Sequence, residues 1–140
     1  MMHLHSFRHG YILLISVLII GAISAGVLSS LLLLGTSASQ TAIAVKQSAQ
    51  ALAAANACAE DALFKLRQSP AYSGNESITL DNSDCDTLTI GGVGNTNRLV
   101  CTEGHSGDAV RRIQIVVSQI LQSTLIDSWQ EVPAFTLCEG

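Results

Sequence analysis

The chain has little charge, little proline and few aromatic side chains. Charged residues make up 13% and aromatics 4% of its 140 residues, and there are only two prolines. Between Tyr11 and Gly35 there is no charge at all. A net charge of −4 leaves no basic excess with which the folded part could hold nucleic acid electrostatically. No C-x-x-C pair occurs, so the four cysteines Cys58, Cys85, Cys101 and Cys138 read as disulfide partners in an oxidising compartment, not as metal ligands or a redox motif.

Signatures of chemistry are missing in the same way. GGVGNTN (Gly91–Asn97) lacks the Lys-Ser/Thr of a phosphate loop and is a turn. DNSDCD (Asp81–Asp86) lacks the spacing and terminal glutamate of a calcium loop and is a polar turn. His105 lies between glycines in an expected loop, with no serine or cysteine placed as its nucleophile. His3, His5 and His9 have no carboxylate or cysteine beside them and belong to a solvated polar head. Arg111 and Arg112 are adjacent on an expected strand, so they point to opposite faces and make no patch. Trp129, Tyr72 and Phe135 are expected to cover the sheet or core. Asn75-Glu-Ser is a formal glycosylation sequon. The expectation is therefore no enzyme, no cofactor and no metal.

What is present is a long apolar run. Tyr11–Gly35 is 25 residues, about 37 Å as a helix, enough to cross a hydrocarbon core of about 30 Å. An ordinary secretion signal has an apolar region of only about 7–15 residues. Cleavage after GAISAG would leave the apolar VLSSLLLLG as a new N-terminus. Arg8 precedes the run, which keeps the head cytoplasmic and the bulk of the chain outside.

The helix is expected to continue to Gln68, about 87 Å from Tyr11 at full helical rise. No proline interrupts TSASQTAIAVKQSAQALAAANACAEDALFKLRQS, which is rich in strong helix formers. Ala38, Ala42, Val45, Ala49, Leu52, Asn56, Ala59, Leu63 and Leu66 alternate spacings of four and three, a heptad seam. Beyond Pro70, β-prone runs lie at Ser77–Leu80, Asp86–Ile90, Arg98–Thr102, Ala109–Ile120 and Thr124–Val132. Gly91–Asn97 and Gly104–Asp108 are expected as loops between them. The fold class is α+β: a long N-terminal helix packed by a small antiparallel sheet of three to five strands. The segments expected are 1–10 as head, 11–35 as membrane helix, 36–69 as its amphipathic continuation and 70–140 as a stapled β domain. Four cysteines allow three pairings. Cys58–Cys85 with Cys101–Cys138 is preferred, and Cys85 facing Cys101 across a hairpin is the rival.

A basic polar head, Gly10, the aromatic Tyr11 and about twenty apolar residues running into a long helix resemble the type IV pilin and pseudopilin class. GYILLISVLIIGAIS, NACAEDAL and SWQEV are most similar to the short pilins of small-genome candidate-phylum bacteria. The resemblance implies a leader cut by a prepilin peptidase between Gly10 and Tyr11, with Tyr11 as an N-methylated mature terminus. It implies a helix, including Ile15, Leu18, Ile20, Gly21, Gly26, Leu31 and Leu34, that first anchors the subunit in the inner membrane. That helix then packs at the core of an extracellular homo-oligomeric filament alongside other pilus subunits. The sheet loops would meet host-cell surfaces or DNA. The chain departs from the class at the fifth mature position, where Ile15 replaces the usual glutamate. Two rival readings are a membrane-anchored binding module that never polymerises and a freely secreted small domain.

Overall fold

The computed structural model describes residues 6–138, with side chains from Gly10 onward; His3 and His5 lie outside the described residues. One helix, α1 (Ser6–Gln68), is followed by five strands: β1 (Glu76–Leu80), β2 (Ser83–Thr87), β3 (Thr96–Ser106), β4 (Ala109–Gln119) and β5 (Leu125–Val132). The strands form one antiparallel sheet in the order β1-β2-β3-β4-β5. The fold is α+β. The chain divides into two compact units, the first ending at Ala42 and the second beginning at Ile43.

The second unit has its own core. Its part of α1 buries Ala51, Ala54, Ala55, Cys58, Ala59, Ala62 and Leu66 at 2% exposure or less. Against them lie Ile90, Val100, Ile113, Ile115, Val117 and Ile120. The buried face is thus a stripe of small residues ending at Leu66, and the heptad seam holds only in part: its members Ala59 and Leu66 are buried. Ala38, Ala42, Val45 and Ala49 are exposed, while Leu52, Asn56 and Leu63 sit at the edge of the covered face. The reason is closeness of approach. A Cβ on Gly104 of β3 would lie 2.1 Å from the Ala51 carbonyl oxygen and 2.5 Å from the Ala55 nitrogen. The Thr102 hydroxyl donates to the Ala55 carbonyl at 2.8 Å. A sheet backbone so near a helix requires alanine beneath it and glycine above it.

Two strand boundaries also differ from expectation. The second strand is Ser83–Thr87, not Asp86–Ile90, and only Asp81 and Asn82 of DNSDCD form the turn. Burying both Thr87 and Ile90 breaks the two-residue alternation of a strand. The ladder gives way there, and the Ile90 amide donates to the Ser73 carbonyl at 2.9 Å. The third strand runs to Ser106, so Gly104, His105 and Ser106 are strand and only Gly107 and Asp108 turn. Gly107, at φ 55°, supplies the left-handed conformation that this two-residue turn uses.

Two disulfides staple the second unit, Cys58–Cys85 and Cys101–Cys138, with Cα separations of 6.1 and 6.2 Å. The first ties the helix to β2. The second fastens the C-terminal tail to the sheet face opposite the helix. There Gln114 is buried and accepts from the Thr136 amide and hydroxyl, both at 3.4 Å, and Arg112 donates to the Pro133 carbonyl at 3.1 Å. Trp129 lies on the helix side and donates its indole N–H to Asn56 Oδ1 at 3.0 Å.

Candidate functional site

Among the described residues, the helix of the first unit is exposed along almost all of its length from Gly10. Tyr11, Ile12, Leu13, Leu14, Leu18, Ile20, Leu31 and Leu34 are each at least 59% exposed, and Ile15 is 41% exposed. Gly10, Gly21, Gly26 and Gly35 all face open space. The serine hydroxyls along the run are satisfied internally. Ser16 donates to Leu13, Ser24 to Ile20, Ser29 to Ala25 and Ser30 to Gly26, at 2.8–3.0 Å. An apolar surrounding therefore meets no charged side chain from Tyr11 to Gly35, and the hydrogens of these four serine hydroxyls are paired. By length and composition this helix can cross a membrane.

The second unit carries a polar surface held by specific clamps. The loop expected over Gly91–Asn97 as a recognition element is shorter, since β3 begins at Thr96, and its tip residue Val93 is 89% exposed. Arg98, 3% exposed, ties the loop down from below. Its guanidinium donates to the carbonyls of Gly91 (3.1 Å), Gly94 (3.0 Å), Tyr72 (3.0 Å) and Pro70. Burial lowers the Arg98 pKa from its ordinary value, and carbonyl oxygens replace the water that the cation loses. At the end of α1, Lys65 donates to Asp61 Oδ2 at 2.8 Å and to Glu76. Its ammonium also lies 5.6 Å from the centre of the Tyr72 ring. The bonds to Asp61 and Glu76 push the Lys65 pKa up, and the bond to Lys65 pulls that of Glu76 down. Burial is the main cause that pushes the Tyr72 phenol up to about 12.

No protein-family model matches the chain, and neither a curated protein nor a solved structure matches it.

The sheet brings together residues that the sequence reading treated separately. Asp84 stands directly opposite His105, and Asp86 opposite Glu103. His105 Nε2 lies 3.4 Å from both Asp86 Oδ2 and Glu103 Oε1. Alternation puts these four side chains on the face away from the helix, since Cys85 and Gly104 between them are buried toward it. Assigning Asp84 and Asp86 to a turn and His105 to a loop concealed this group. The signal that could have found it is parity: with β3 carried through to Ser106, Glu103 and His105 share a face. Arg111 and Arg112 do part to opposite faces. Arg111 meets Glu131 at 2.8 Å and Arg112 meets Glu103 at 2.5 Å. Arg98 was missed as well, although a lone arginine in register with Val100 and Thr102 was the sign of a buried clamp.

Proposed function

We propose that this chain is the structural subunit of a type IV pilus-like extracellular filament, assembled through its N-terminal helix after a leader ending at Gly10 is removed. The observation that carries this reading is the chargeless surface from Tyr11 to Leu34, whose large apolar side chains are all exposed. An exposed apolar helix of that length must be covered, by lipid before assembly and by other copies afterwards. The second unit supports the same reading. It keeps its own core and staples, so it stays folded whether its helix is in lipid or in a bundle. A head-to-tail contact that does not close makes an open helical fibre. The inner membrane holds the subunit first, and the fibre carries it outside the cell.

Intact mass and N-terminal sequencing of the protein recovered from cells test the proposal, together with electron microscopy of material sheared from them. A chain beginning at Tyr11, methylated at its amine and present in sheared fibres, is the expected result. A start near Val27 would replace the proposal with a secreted domain. An uncut chain confined to membranes would replace it with an anchored module.

A further inference from the structure

We infer that Asp84, Asp86 and His105 form a binding site for a first-row divalent transition-metal cation on the face of the sheet opposite the helix. This stands whether or not the chain polymerises. One ligand atom from each of the three residues lies within 4.8 Å of the other two. Ligands around a tetrahedral cation at about 2.0–2.1 Å sit about 3.3 Å apart, so modest rotation of the exposed Asp84 and the half-buried Asp86 and His105 side chains closes the set. The residues do not come from a flexible loop. Asp84 and Asp86 are two apart on β2, His105 is the cross-strand partner of Asp84, and all lie within the hydrogen-bonded ladder.

Charge strengthens the assignment. Asp86 and Glu103 are directly opposed across the ladder, an arrangement of like charges that destabilises a strand pair. Glu103 has Arg112 on its Oε2 oxygen at 2.5 Å. Among the described residues, no lysine or arginine forms an ion pair with Asp84 or Asp86. Ser77 donates to Asp86 Oδ1, which leaves Oδ2 turned toward the imidazole. Two unneutralised carboxylates and an imidazole nitrogen therefore face one point. Carboxylates alone would suit calcium or magnesium, and the imidazole shifts the preference to zinc and its neighbours. The bound ion would pin β2 to β3 on the outer face, where Cys58–Cys85 pins β2 to the helix on the inner one.

The test uses the full chain in detergent micelles with His3→Ala, His5→Ala and His9→Ala, which leaves His105 as the only histidine. Zinc chloride is titrated while the imidazole proton resonances are followed by NMR and the heat of binding is measured. The expected result is one saturating equivalent of zinc, a shift of the His105 resonances and a higher melting temperature. Asp84→Asn and Asp86→Asn should each weaken binding by more than about tenfold, the scale reached when even an outer-shell partner is lost, with folding monitored by intact disulfides and melting. Glu131→Gln, on the helix-facing side, should leave binding unchanged. Zinc that leaves the His105 resonances unmoved would overturn the assignment, because His105 would then be an imidazole bridging two carboxylates. Displacement of zinc by an equal concentration of calcium would overturn it in favour of an oxygen-ligand site.

Discussion

Gly104 shows how one missing side chain sets the distance between layers. Its neighbours across the gap are backbone atoms of Ala51 and Ala55, which cannot swing aside as a side chain could. Gly104→Ala is expected to cost about 3 kcal/mol, at the upper end for an overpacked core. Urea unfolding in detergent measures it, and a change below about 1 kcal/mol would mean that the layers can move apart. Tyr72 and Lys65 make a second prediction at this scale. Both hold their protons more tightly in the folded chain, Tyr72 at about 12 against an ordinary 10.0. Their contribution is therefore complete below the unfolded values and is lost as pH rises through the folded ones. Melting temperature should fall between about pH 10 and 12, and Tyr72 should ionise late in a Tyr11→Phe chain followed by ultraviolet absorbance. Ionisation at the ordinary value would show that the phenol is not desolvated. Glu76 acts in the opposite direction, its share fading as pH falls below the ordinary 4.5 and through its lowered folded value.

Among the elements, the two staples close loops of similar length, with sequence separations of 27 and 37. Loop-closure entropy alone gives each about 3.5–4 kcal/mol. Their surroundings separate them. Cys58 and Cys85 belong to a buried cluster with Ala54, whereas Cys138 is half-exposed in a tail held otherwise by Thr136–Gln114 and Arg112–Pro133 contacts. A Cys101→Ala/Cys138→Ala chain should retain the sheet but lose its tail to carboxypeptidase within the time that the parent stays whole. A Cys58→Ala/Cys85→Ala chain should instead lose about 3 kcal/mol of global stability with its tail still protected. Mass spectrometry after timed digestion distinguishes them, and equal trimming of both variants would refute the division of roles.

For the molecule as a whole, the two units predict separable failures. Ile20→Arg places a charge within the apolar run, which costs about 2.5–3.5 kcal/mol at the centre of a membrane helix. It should lower recovery in membranes and abolish it in fibres, where the helix packs against other copies, while leaving the melting of the second unit within about 0.5 kcal/mol of the parent. Fractionation beside calorimetry checks both halves of that statement. Loss of the second unit's fold would show that its stability depends on the apolar helix.

The features legible from the amino-acid order alone are those whose physics is local. A chargeless 25-residue run, the absence of proline from Gly35 to Pro70 and runs of β-prone residues between turn signals are enough for the long helix, the antiparallel sheet and the α+β class. The tertiary structure decided what depends on a partner distant in the chain. Which helix stripe is buried followed from how closely Gly104 lets β3 approach, so Ala51, Ala54, Ala55 and Ala62 joined Ala59 and Leu66 of the heptad seam in the buried face. Where β2 ends followed from Ile90 turning into the core. Three cysteine pairings were open until Cα separations of 6.1 and 6.2 Å selected two bridges. The meeting of Asp84, Asp86 and His105 exists only in the β2–β3 register, because cross-strand neighbours are set by pairing across space and leave no spacing in the sequence to read.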